Sequence, residues 1–226
     1  MAFSREIERV QGVSGELVLR RGPAGLEIIA NGVFLVSGAN AASSRALVTA
    51  AWPLVAAGTL NVLIGGLGIG DALDEAIACE RVTLVTVVEL EPDVVRWFRE
   101  YGGEVAERAA EAERAGRARL VVADVADVLG SVEGLWDVIA LDTDNGPDWL
   151  VRGQNAGLYS FAGLCAVRAA LRPGGVAVYW SPDESPSFEG DLRDVFDEVC
   201  TETAVDVIDG RPFSYTMYAA RRVDGA

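Results

Sequence analysis

The residues best placed to do chemistry follow one another along the middle of the chain. Gly65-Gly-Leu-Gly-Ile-Gly70 lies between a short apolar run, Val62-Leu-Ile64, and a stretch with helical character. Glycines in a strand-to-helix turn let the backbone approach a ligand and make the tight turn. Gly65, Gly66, Gly68 and Gly70 are therefore candidate nucleotide contacts. Glu89 ends the next apolar run, Val82 to Val88. A carboxylate about 20 residues past such glycines is placed to accept hydrogen bonds from ribose hydroxyls. Asp124 follows a third run, Leu120-Val-Val122, where it could hold an adenine amino group, and Asp142 follows a fourth, Val138 to Leu141. The plain alternatives are an architectural turn at the glycines, exposed strand-end carboxylates, and loop structure from Asp142 to Pro147, which is rich in turn formers.

A nicotinamide dinucleotide would use the glycines and Glu89 equally well. The third glycine falls one residue short of the dinucleotide fingerprint, however, and Asp124 and Asp142 would have no work.

Composition removes other chemistries. The chain has no histidine, so Ser-His and Cys-His nucleophile pairs and His-ligated metal sites are excluded. Cys79, Cys165 and Cys200 are far apart and form no Cys-x-x-Cys pair, so each is expected to serve packing, and no metal is expected. A net charge of −15 repels a phosphate backbone and argues against nucleic acid as a partner. It suits a small cationic substrate, or simply keeps the protein soluble. No uncharged apolar run is long enough to span a bilayer, and Met1 to Val10 lacks the apolar core of a secretory signal. A cytoplasmic protein without membrane contact is expected.

The elements that must position these residues come in two groups. Glu16–Arg20, Leu26–Ala30 and Val33–Val36, separated by Gly22-Pro-Ala-Gly25 and Asn31-Gly32, predict a short β meander within residues 1–42. A helix from Ser43 toward Ala57 follows, capped by Ser43 or Ser44 and kinked or stopped at Pro53. From Leu60 onward strands and helices alternate, which predicts a parallel sheet covered on both faces within one domain, 43–226. A charged, alanine-rich helix is expected over Glu104–Arg117, and Asp209-Gly210 predicts a closing hairpin. Tyr215 and Tyr218 would lie on opposite faces of the last strand, at most one of them inward. The fold class is thus α/β, a Rossmann-like, seven-stranded, mostly parallel sheet with an antiparallel last strand. Ligands of such sheets bind at the carboxyl ends of the strands, where the acidic residues fall.

From Leu60 to about Phe188 the chain resembles the spermidine synthase family, within the class I S-adenosylmethionine-dependent methyltransferase fold. The resemblance is carried by NVLIGGLGIG, VTVVELEPDVV, VVADVADVL, WDVIALDTDNGP and NAGLYSFAGLCAVRAALRPGG, in the family's order. It implies S-adenosylmethionine or its decarboxylated form as co-substrate. Gly66, Gly68 and Gly70 would then approach nucleoside and sulfonium, Glu89 the ribose and Asp124 the adenine. Asp142 would be the base toward an attacking amine, with Asp144 helping to hold a cationic substrate. Asn145 and Tyr159 would line the acceptor pocket, Tyr159 having core packing as its alternative. A homodimer is also implied.

The chain departs from the family pattern in three places. The loop lacks the acidic residue that recognises the amine of the decarboxylated donor, reading Leu67-Gly68-Ile69 instead. Asp142-Thr-Asp-Asn-Gly-Pro147 replaces the usual Asp-Ser-Ser-Asp-Pro, and Ala42-Ser-Ser-Arg45 stands where a diamine-binding tyrosine motif is expected. The expectation is therefore methyl transfer to a small amine-bearing acceptor, with aminopropyl transfer as the alternative. An oxidoreductase and a non-catalytic nucleoside-binding protein remain further readings.

Overall fold

The computed structural model describes residues 4–56, 58–143, 156–208 and 210–223. The chain opens with an antiparallel meander, β1 (Arg5–Gln11), β2 (Glu16–Gly22), β3 (Gly25–Ala30) and β4 (Val33–Ser37), paired in sequence order. Helix α1 (Ala41–Thr49) leads into alternating elements: β5 (Leu60–Gly65), α2 (Asp71–Ala78), β6 (Val82–Glu89), α3 (Pro92–Tyr101), α4 (Gly103–Arg114) and β7 (Ala118–Val122). Then come α5 (Val125–Gly130), β8 (Trp136–Leu141), α6 (Ala156–Tyr159), α7 (Phe161–Ala170), β9 (Leu171–Ser181), α8 (Pro186–Val195), and the hairpin β10 (Glu198–Ile208) and β11 (Arg211–Arg221).

The second sheet has seven strands in the order β10-β11-β9-β8-β5-β6-β7. β11 runs antiparallel to both neighbours, and β5 to β9 are mutually parallel. The expected α/β class, strand number and antiparallel last strand are all present.

Both faces of this sheet are covered, which is why its strands read as unbroken apolar runs rather than alternating ones. Side chains still alternate between the two faces. Val62, Ile64, Val138, Ala140, Val176 and Val178 pack under α1 to α4, and Leu63, Ile139, Leu141, Ala177 and Tyr179 pack under α5, α7 and α8. At about 1.5–3 kcal/mol for each fully buried large aliphatic side chain, these two layers dominate the fold. Leu17, Leu19 and Ile28 of the meander join the first core.

Several local expectations are corrected. The meander has a fourth strand, β1, hidden in sequence because Arg5-Glu-Ile-Glu-Arg is mostly charged. Those charges suit an edge strand. Helix α1 starts at Ala41, and its cap is neither Ser43 nor Ser44. The Asp206 carboxylate of β10 accepts from the backbone N–H of Ala42 at 2.9 Å and of Ser43 at 3.4 Å. The early stop expected from Pro53 is present, the helix ending at Thr49. Cys165 and Cys200 are exposed and only Cys79 is partly buried, so a packing role fails for two of the three. Tyr215 and Tyr218 do lie on opposite faces, Tyr218 buried in the second core and Tyr215 half-buried beside the first. Among the described residues no helix is long and apolar enough to cross a membrane.

Candidate functional site

A cavity of about 600 Å³ lies at the carboxyl ends of the parallel strands, roofed by the meander. Its floor is the turn after β5. The Gly66 N–H donates to the Val88 carbonyl at 2.9 Å, and the Asp142 N–H donates to the Gly65 carbonyl at 3.0 Å. Gly66 has φ +96°, and a Cβ there would lie 2.3 Å from the Asp142 carbonyl oxygen. Only glycine lets these three strand ends close on one another. Gly66 and Gly68 line the cavity, whereas Gly65 and Gly70 support it from behind. A Cβ at Gly65 would press on Leu141, and one at Gly70 would press on Phe98. At both positions a side chain would collide with the core behind the turn.

Glu89 reaches the floor from β6. One carboxylate oxygen accepts from the Leu67 N–H at 2.8 Å and the other from the Glu91 N–H at 2.9 Å. Burial pushes its pKa up, and the two backbone donors only partly offset this. Asp124 caps α5, accepting from the Ala126 N–H at 2.9 Å, and borders the same cavity. Asp142 stands where β8 ends. Its pKa is raised to about 7, first by burial and then by the nearby charge of Glu89.

Glu91 was not singled out by sequence, yet it joins the two layers. Its carboxylate accepts from the Val13 N–H at 2.8 Å, the Ser14 N–H at 2.7 Å and the Ser14 hydroxyl. The Asn31 side chain braces the same turn, donating to the Ser14 carbonyl at 2.9 Å. The second acid of the Glu89-Leu-Glu91 pair thus latches the meander over the strand ends. That spacing was the available signal, but nothing in sequence pairs it with Ser14.

The other side of the cavity is built from remote segments. β4 brings Phe34 and Leu35, the end of β9 brings Trp180 and Pro182, and the hairpin brings Ile208 and Tyr215. Trp180 and Tyr215 stack with centroids 5.2 Å apart. Tyr159 is not part of the lining. It is buried on the opposite face of the sheet against Tyr179 and Phe188, at 6.2 and 5.5 Å. Its core-packing alternative is the one seen. Asp144 and Asn145 lie outside the described residues.

Five carboxylates border the cavity, those of Glu27, Glu89, Glu91, Asp124 and Asp142, and no basic side chain does among the described residues. Among the described residues, no group of acidic or cysteine side chains is clustered to hold a metal ion.

Strand order, parallel centre and antiparallel β11 together define an α/β fold of the spermidine synthase type. The family model of the spermine/spermidine synthase domain matches residues 50–209, and the chain belongs to that family. A spermidine synthase solved in complex with the transition-state analogue AdoDATO superposes with a TM-score of 0.78 at 21% identity, over 96% of this chain and 74% of that one. The spermidine synthase from Thermotoga maritima gives 0.74 at 19% identity, over 96% and 72%. At these identities both are similar in fold. No curated protein matches the chain in sequence.

Proposed function

We propose that this chain transfers an aminopropyl group from decarboxylated S-adenosylmethionine to a small amine. The observation that carries the proposal is the cavity lined by carboxylates and, among the described residues, by no basic side chain. Both donors carry a sulfonium and an ammonium, and the decarboxylated one lacks the carboxylate. The intact donor carries a carboxylate that such a lining repels. Family membership and the analogue bound to the similar spermidine synthase support the same reading.

In this mechanism Glu89 accepts from the ribose hydroxyls and Asp124 from the adenine amino group. Asp142 orients the acceptor amine and takes its proton as the nitrogen attacks the carbon beside sulfur. The new bond is N–C and the broken one is C–S, whose electrons leave on sulfur as a neutral thioether. The main contribution of the protein is to hold two reactants in line within a closed cavity. Asp144, expected to help hold a cationic substrate, belongs to this proposal by resemblance alone.

Methyl transfer is the second reading. It is favoured by Gly68, which lines the cavity within a loop lacking the carboxylate expected for the decarboxylated donor. Titrating the protein calorimetrically with both donors and with NAD, then identifying the released nucleoside, separates these readings. Preference for the decarboxylated donor and release of methylthioadenosine are expected. Preference for the intact donor with release of S-adenosylhomocysteine would replace aminopropyl by methyl transfer, and binding of NAD alone would overturn both.

A further inference from the structure

Sheet order divides the cavity into two halves. The ends of β5, β6 and β7, with the latched β1–β2 turn, carry Glu89, Glu91 and Asp124. The second, apolar half is formed by β8, β9, β11 and β10, with β4 above it. It carries Asp142 beside Phe34, Leu35, Trp180, Pro182, Ile208 and Tyr215. In the proposed reaction the nucleoside occupies the first half and the acceptor approaches through the second.

Trp180 stands next to the base. β8 and β9 are parallel, with Leu141 paired to Tyr179, and Asp142 and Trp180 are the next residue on each. They are therefore neighbours across one strand spacing, about 4.8 Å. Leu141 and Tyr179 face the second core, so alternation turns Asp142 and Trp180 to the other face, where both border the cavity. From Gly175 to Ser181 every residue of β9 is buried except Trp180. Its indole is held from the far side of the strand pair. Trp180 pairs with Met217 of β11, and Tyr215 lies two residues before Met217, the diagonal position from which an aromatic side chain reaches its neighbour. The two rings stack with 31° between their planes.

We infer that Trp180 binds the acceptor, its indole face, steadied by Tyr215, seating the ammonium of the incoming amine beside the Asp142 carboxylate. This rests on the reading of the site as an amine-directed transferase and names a binding residue within it. The amine arrives protonated and must react neutral. An indole face attracts the cation, yet presents no N–H or O–H to the nitrogen lone pair. Once the proton has passed to Asp142, the lone pair is left free to form the N–C bond as the C–S electrons depart on sulfur. Of the three aromatic rings that border the cavity among the described residues, Phe34 already has the Arg20 guanidinium 5.5 Å from its centroid. The Trp180–Tyr215 stack is the aromatic surface at the base itself.

The test uses the full chain saturated with methylthioadenosine and titrated calorimetrically with n-butylamine and with 1,4-diaminobutane. Trp180→Leu keeps apolar bulk but removes the aromatic face, and should weaken amine binding roughly tenfold. Trp180→Phe keeps a ring and should lose no more than about threefold. Methylthioadenosine affinity should be the same in both variants. Trp180 is one of five tryptophans, so its emission is the difference between the unaltered protein and the Phe variant. That difference should change when amine is added to the loaded protein, a reading that decides the matter even where the Leu variant does not fold. An unchanged difference emission would overturn the inference. So would equal losses of amine affinity in the two variants, a Leu variant that loses methylthioadenosine as well, or failure of both amines to bind the loaded, unaltered protein. Failure of methylthioadenosine to bind the unaltered protein would instead remove the transferase reading on which the inference stands.

Discussion

The two halves of the cavity are made in opposite ways. The acidic half follows the βαβ series: Glu89 ends β6, Glu91 precedes α3 and Asp124 precedes α5, and each accepts from backbone N–H groups. Glu89 is fixed by the N–H groups of Leu67 and Glu91, and Asp124 by that of Ala126. The apolar half is assembled from β4, the end of β9 and the C-terminal hairpin, segments whose contacts are set by the tertiary fold. On the proposed function the first half holds the nucleoside, and the second is where acceptor specificity would be set.

Asp142, at the seam between the halves, is where the largest effect is expected. Asp142→Asn should lower kcat by about 10²–10⁴, the usual worth of a positioned base, and leave nucleoside affinity nearly unchanged. Equal losses in both would remove its role as base. Because burial and Glu89 raise its pKa to about 7, the free enzyme holds much of Asp142 protonated at neutral pH. A base works only when ionised, so kcat/KM should fall as pH drops through about 7, and the Asn variant should lose that limb of the profile.

Glu89→Gln probes the acidic half and its influence on the seam. Loss of charge-assisted bonds to ribose, about 1.5–3 kcal/mol, should weaken methylthioadenosine binding by roughly 10–100-fold, read by calorimetry. The same change removes a charge that raises the Asp142 pKa, so the acidic limb should move to lower pH. A weakened nucleoside with an unmoved limb would mean that the two carboxylates act independently.

The latch should matter less. Ser14→Ala removes one of the three bonds to Glu91 and keeps both backbone donors, so about 1 kcal/mol of stability should be lost, measured by denaturant midpoint. If the latch closes the acidic half, nucleoside affinity should fall severalfold while acceptor affinity in the loaded protein stays constant. The reverse pattern would place the turn over the wrong half.

The same contrast separates the features that the amino-acid pattern reveals from those it hides. Gly66, Gly68, Glu89, Asp124 and Asp142 are legible because the signal is a period: apolar run, turn, acid, repeated along the chain. The seven-stranded sheet and the closing hairpin follow from the same alternation and from Asp209-Gly210. Gly65 and Gly70 are harder, because a glycine that spares a ligand and one that spares Leu141 or Phe98 look alike in sequence. β1 escapes because its charges hide an edge strand. The placement of Tyr159 on the far face depends on which side of the sheet α6 packs. Trp180 meeting Tyr215, and Ser14 meeting Glu91, are contacts between distant segments that no local pattern encodes.

The smallest predicted effect tests the most distant of these contacts. Asp206 sits on β10 and caps α1, the helix that brings Ser43 and Ser44 to the cavity. Asp206→Ala leaves the first N–H groups of α1 without their acceptor, which should cost about 1 kcal/mol, or roughly 2–4 °C in Tm for a chain of this size. The cap also fixes the first turn of α1 against the hairpin that carries Ile208 and Tyr215. Loosening it should raise KM for the acceptor a fewfold and leave nucleoside affinity untouched, since no residue of the acidic half leans on this bond. A drop in Tm with no change in acceptor KM would make Asp206 a structural cap alone. A change confined to nucleoside affinity would mean that α1 serves the acidic half, and the boundary between the two halves would have to be redrawn on the other side of Gly68.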